Sequence, residues 1–218
     1  MSKYLQKEQI YLYKLLLSRP DLDANIKEPK EKKTPLHIAV EFGNINAVNL
    51  LVGHPAIIID EIDKRGKTPL HLACQYSQGE IIEILVNLTE NINSIDADKL
   101  SPLHYACQSG NYRIVNTLLS NNYEKSEPID VNCIMSPFSP LSLAVKCGNP
   151  AVVELLINCN GIKIHNPLHL LHSSISQGNI SIFEMLLFYI TSHENELGNN
   201  TSFNPNEPCI KMTFFWEF

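Results

Sequence analysis

The 218-residue chain is 44% hydrophobic and 18% charged, enough apolar residue to bury a core. A net charge of −6 at pH 7 argues against a surface built to grip nucleic-acid phosphates. The longest apolar run, Ile180 to Ile190, is broken by Ser181 and Glu184 and falls short of a membrane span. At the N-terminus, Met1 to Ile10 places Lys3, Lys7 and Glu8 where a signal peptide would carry its apolar core, so secretory export is not expected. Glu8 to Leu17 carries Ile10, Leu12, Tyr13, Leu16 and Leu17, an amphipathic helix ending before Arg19-Pro20. Lys27 to Lys33 mixes signs and reads as a solvated loop rather than a basic binding site.

From Thr34 onward a four-residue tag recurs: Thr34-Pro35-Leu36-His37, Thr68-Pro69-Leu70-His71, Ser101-Pro102-Leu103-His104 and Ser139-Pro140-Leu141-Ser142. A blurred fifth copy sits at Asn166-Pro167-Leu168-His169. Thr or Ser can accept from an early backbone N–H, and Pro at the next position has its φ pre-set and no N–H to orphan, so each tag predicts a helix start. Gly43, Gly110 and Gly148, with Ser77 at the equivalent place, predict the break before a second helix. In that second helix Ala47, Val48 and Leu51, then Ile114, Val115 and Leu118, form an apolar stripe. One helix pair cannot bury its own stripe, whereas stacked pairs can.

The first three tags start at 34, 68 and 101, a period of stacked helix pairs rather than of a closed globule. In register with them run Ala39, Ala73, Ala106 and Ala144, and the pairs Leu50/Leu51, Ile84/Leu85, Leu118/Leu119 and Leu155/Leu156. On these residues the chain resembles the ankyrin repeat family from about residue 34 to 190. The resemblance implies an all-α fold, a solenoid of stacked antiparallel helix pairs with projecting β-hairpin finger loops. It divides the chain into a capping helix and finger (1–33), repeats at 34–66 and 67–99, a third with a long loop (100–137), a fourth (138–165), a degenerate fifth (166–190) and an irregular tail (191–218). Asp21 to Asn25 is similar to the family's finger, which makes the N-terminal helix a half-repeat. The tag histidines are implied to make structural hydrogen bonds.

The family's partners meet a concave face of finger tips and late first-helix positions. Carried over by position, the fingers offer Glu31 and Lys33; Lys64, Arg65 and Lys67; Ala97, Asp98 and Leu100; Met135, Ser136 and Phe138. The helices offer Glu41 and Phe42; Gln75 and Tyr76; Gln108 and Ser109; Lys146 and Cys147. Arg65, Tyr76, Phe42 and Phe138 are the expected anchors, since aromatic and Arg side chains dominate interface energetics. Lys99 stands where the preceding finger has Gly66, so a distorted third tip is expected.

Three irregular features remain. The connector Ser120 to Phe138 is longer than the others, a contact loop or a tolerated insertion. The fifth unit aligns either at Asn166 or three residues later, predicting a lengthened or shifted first helix. The closing segment Cys209 to Phe218 is apolar and holds the single Trp; docking on the last repeat is the favoured reading, beside a peptide for a partner or the remnant of a longer chain.

No phosphate-cradling Gly-rich loop, nucleophile elbow or His-Glu-x-x-His occurs. The six cysteines lack any Cys-x-x-Cys pair, and Cys74 and Cys107 take a small core residue's place, which suits a reducing cytoplasm. His165, His169 and His172 near Cys159 are the best metal candidates, but Pro167 starts the helix and leaves His165 outside it. The expectation is therefore a monomeric, non-enzymatic scaffold binding one or more proteins, with no cofactor, metal, nucleic acid or membrane insertion. The alternative is a fragment or targeting module of a larger ankyrin protein, such as a bacterial effector delivered into a host cell. A metal or thiol enzyme in the C-terminal half is third.

Overall fold

The computed structural model describes residues 19, 23–120, 128–133, 138–164 and 166–193. Among these, helices come in pairs: α1 (Pro35–Glu41) with α2 (Ile45–Val52), α3 (Pro69–Gln75) with α4 (Gly79–Leu88), α5 (Pro102–Ser109) with α6 (Tyr112–Ser120), and α7 (Pro140–Cys147) with α8 (Pro150–Ile157). A fifth pair is α9 (Pro167–Ser176) and α10 (Ile180–Ser192). The first four pairs lie in one compact unit that ends at Ile162, and the fifth lies in a second unit that begins at Lys163. Within the first unit α1, α3, α5 and α7 pack in series, as do α2, α4, α6 and α8.

Each pair buries the same positions. Leu36, Leu70, Leu103 and Leu141 are sealed beneath the first helices, with Ala39, Ala73, Ala106 and Ala144 allowing close approach. Val48, Ile82, Val115 and Val153, then Leu51, Leu85, Leu118 and Leu156, fill the second helices. Cys74 and Cys107 are completely buried, as are Val40 and Val145 at the same repeat position, and burial pushes both thiols up, the reverse of nucleophile activation.

The tag does more than start a helix. His37 Nδ1 accepts from the Thr34 backbone N–H at 3.2 Å and lies 2.8 Å from the Thr34 hydroxyl, while the His37 backbone N–H donates back to that hydroxyl. Because Nδ1 accepts, the ring proton sits on Nε2, which donates to the Lys67 carbonyl of the next finger at 2.9 Å. His71 repeats this with Thr68 and the Leu100 carbonyl, and His104 with Ser101 and the Phe138 carbonyl. In the fourth tag Ser142 turns its hydroxyl back to the Ser139 carbonyl, so the ladder of bridging rings ends at His104.

A second ladder runs between the loops. Asn25 brackets Ala56 and Ile58 through its amide; Asp60 accepts from the Thr89 hydroxyl and the Glu90 N–H, both at 2.7 Å. Asn93 then brackets Pro128 and Asp130, and Asn132 donates to the Gly161 carbonyl. These side chains satisfy loop backbone groups that no helix can serve.

The fingers are tight turns, and no strand occurs among the described residues. This corrects the expected β-hairpins: successive fingers share one backbone bond each, Lys64 N–H to Glu31 and Ala97 N–H to Arg65, too few to build a ladder. In the second finger Asp63 Oδ1 accepts from Arg65 and Lys67 N–H, and Gly66 takes φ +73°. The third has the same frame, with Asp96 Oδ1 accepting from Asp98 and Leu100 and Lys99 at φ +63°. The expected distortion at Lys99 is absent; the turn imposes its left-handed conformation on a lysine. In the first finger Glu28, one carbon longer, wraps a turn one residue longer, and Lys32 takes φ +55°.

In the second unit α9 begins at Pro167 and runs ten residues, longer than the other first helices. Asn166 holds a left-handed φ of +62° there and caps nothing with its side chain. The helix is thus lengthened from the visible tag, not shifted past it.

Lys99→Gly relieves a left-handed lysine and should stabilise the chain by roughly 0.5–1 kcal/mol in urea denaturation. Gly66→Ala should destabilise it, because its Cβ would sit 3.2 Å from the Ala97 nitrogen at an unfavourable φ. Burial holds the His71 ring down to about 4 from the usual 6.5, and lowers His37 and His104 as well. Between those values the unfolded ring binds the proton more tightly, so stability is full above pH 6.5 and declines as pH falls through about 4. His71 accounts for on the order of 3 kcal/mol of that loss. Urea midpoints measured from pH 7.5 downward check it, and His71→Gln should flatten the profile.

Candidate partner-binding surface

In the first two pairs the end of the first helix and the finger before it share one side, because a finger-root side chain reaches its own helix end. Lys33 Nζ bonds Glu41 Oε2 at 2.7 Å, and this bond holds the Lys33 ammonium above the usual range. Lys67 Nζ donates to Gln75 Oε1, also at 2.7 Å. Tyr76 OH reaches Glu41 Oε1 at 3.4 Å, which links the first and second pairs.

Most expected contact residues are open. Phe42 is 80% exposed and Tyr76 43%. Lys64, Arg65, Gln75, Ala97, Asp98, Gln108, Ser109, Lys146 and Cys147 are exposed, while Glu31, Lys33, Glu41, Leu100 and Phe138 are half-buried. The Lys146 ammonium lies 5.3 Å from the Phe138 ring centroid. Met135 and Ser136 lie outside the described residues.

Lys67 departs from the expectation. At 5% exposure it is an internal tie rather than open surface, with its ammonium 4.4 Å above the Tyr105 ring and burial lowering its pKa. Tyr105 OH donates to Asp96 Oδ2 at 2.6 Å, and its ring meets the His71 ring edge-on. This buried cluster was invisible to position-by-position carry-over, because Tyr105 replaces the aliphatic residue of the other tags, Ile38, Leu72 and Leu143. An aromatic with a hydroxyl at one repeat position was the available signal: such a group seeks a partner when buried.

His169 and His172 are exposed on α9, His165 lies outside the described residues, and burial raises the thiol of half-buried Cys159. Among the described residues no three His, Cys, Asp or Glu side chains gather in metal-binding reach. No helix among the described residues is long and apolar enough to cross a membrane.

Comparison with known proteins agrees with this geometry. A model of ankyrin repeats in three copies matches residues 5–96 and 57–133, and a single ankyrin repeat model matches 138–167. The match begins inside the segment expected to be a capping helix and leaves most of the fifth pair outside. The Ankyrin repeat and LEM domain-containing protein 2 of Rattus norvegicus is 36% identical over 86 residues, 39% of this chain but 8% of that protein's length. With recurrent Thr/Ser-Pro-Leu tags, stacked helix pairs and family models covering well over half its length, the chain belongs to the ankyrin repeat family.

Proposed function

We propose that this chain is a non-catalytic protein-binding scaffold whose partner meets the concave side of the first unit. Ankyrin repeats generally serve protein–protein interaction, which is the coarse role the family supplies. The observation that carries the finer reading is the exposure of Phe42 and Tyr76 on adjacent pairs. Large apolar side chains are left open beside fingers whose own polar groups are already satisfied by turns and ties. A solenoid face of this kind offers breadth rather than the enclosed pocket that catalysis generally requires.

The short match to a much longer relative favours a second reading, in which such a block acts as the docking part of a larger protein. Host delivery as an effector is one form of it. Both readings use the same surface, so one experiment addresses the surface itself.

Partners captured with the intact chain and identified by mass spectrometry should bind less tightly to Arg65→Glu, Tyr76→Ala and Phe138→Ala variants, whose melting temperatures stay near that of the parent. Leu36→Ala and Leu118→Ala remove sealed core side chains and should instead cost roughly 2–5 kcal/mol of stability. Binding unaffected by all three surface changes would move the partner to another face.

A further inference from the structure

The exposed side of the first unit is chemically uneven, and the unevenness is confined to its first two fingers. The chain as a whole carries −6, yet Lys30, Lys32, Lys64 and Arg65 are all exposed on those tips with no carboxylate in ion-pair distance among the described residues. The acidic groups nearby are mostly committed elsewhere. Glu28 and Asp63 accept turn N–H groups, Glu61 pairs with Lys27, Glu41 with Lys33, and Asp60 holds the following loop. Glu31 is half-buried, and its backbone carbonyl accepts the Lys64 N–H. On the third finger Asp98 and Lys99 balance one another.

The apolar side chains follow the same division. The position after Glu41 and its equivalents carries Phe42 and Tyr76 in the first two pairs, but Ser109 and Cys147 in the third and fourth. Cationic tips and exposed aromatic rings therefore coincide on two neighbouring pairs, locked in register by Lys64 N–H on the Glu31 carbonyl and by Tyr76 on Glu41.

We propose that these two pairs bind a linear acidic peptide segment bearing an aromatic or aliphatic side chain. Its carboxylates meet Lys30, Lys32, Lys64 and Arg65, and its apolar residue lies against Phe42 and Tyr76. Charge complementarity at exposed tips speeds encounter and rejects basic partners, while the rings supply the desolvated contact that slows release. The proposal rests on the reading that partners use the concave side.

Random peptides displayed on phage and selected against the intact chain test it. The selected sequences should be net acidic with an aromatic or large aliphatic residue, and raising salt should weaken them. Affinity measured by fluorescence anisotropy should fall at least about tenfold in the Lys64→Glu/Arg65→Glu double variant and in Phe42→Ala. Lys99→Glu on the third finger reverses one charge away from the site and should have little effect. Neutral or basic peptides that still depend on Phe42 and Tyr76 would overturn the acidic partner and leave the concave-side reading standing. Peptides indifferent to every one of these changes would overturn both. Failure to select any peptide, or displacement of selected peptides by single-stranded oligothymidylate at equal concentration, would also overturn the acidic-peptide proposal.

Discussion

In the first unit, each of the first three helix pairs is tied to the following finger by the neutral tag histidine. Its Nδ1 closes the start of its own helix and its Nε2–H reaches a carbonyl in the following finger. The ring can do both only as the Nε2–H tautomer, and only while uncharged, because protonation would turn the Nδ1 acceptor into a donor facing Thr34 N–H. Burial enforces that state. The distance from helix start to next finger is thereby set by the width of one imidazole, and the same width recurs at His71 and His104.

The bridge ends on backbone, and this separates scaffold from surface. The accepting carbonyls belong to Lys67, Leu100 and Phe138, three unlike residues. Their side chains are free to differ: a lysine folded inward over Tyr105, an aliphatic, and an aromatic under Lys146. The finger turns follow the same rule, with Asp63 and Asp96 holding backbone N–H groups and leaving the tips to carry whatever charge a partner requires. An array of identical frames can thus present a different face on each pair.

Much of this was legible in the sequence, because helix starts and core positions are local and periodic. The tags place α1, α3, α5, α7 and α9, and the buried leucines fall where the repeat alignment puts them. The finger geometry was less so. Lys99 looked disruptive against Gly66, yet the carboxylate of Asp96 holds the turn closed around it, and a cap of two hydrogen bonds outweighs the modest cost of a left-handed lysine. Side-chain ties between loops were not legible at all. Asn25, Asp60, Asn93 and Asn132 recur roughly once per unit but vary in type and offset, and their partners are backbone atoms about thirty residues onward. Of the candidate surface, exposure of Phe42, Tyr76 and Arg65 agrees with the alignment. Inward folding of Lys67 needed knowledge of Tyr105 and Asp96, which only the folded stack brings beneath it.

The tautomeric state of the tag histidines is the most direct measurement of this account. Long-range proton–nitrogen correlation spectra of the nitrogen-15-labelled chain at neutral pH distinguish a protonated Nε2 from a protonated Nδ1 in each ring. His37, His71 and His104 should all show the proton on Nε2 and an unprotonated Nδ1. Rings found as the Nδ1–H tautomer, or as imidazolium, would contradict the bridge between successive helix pairs.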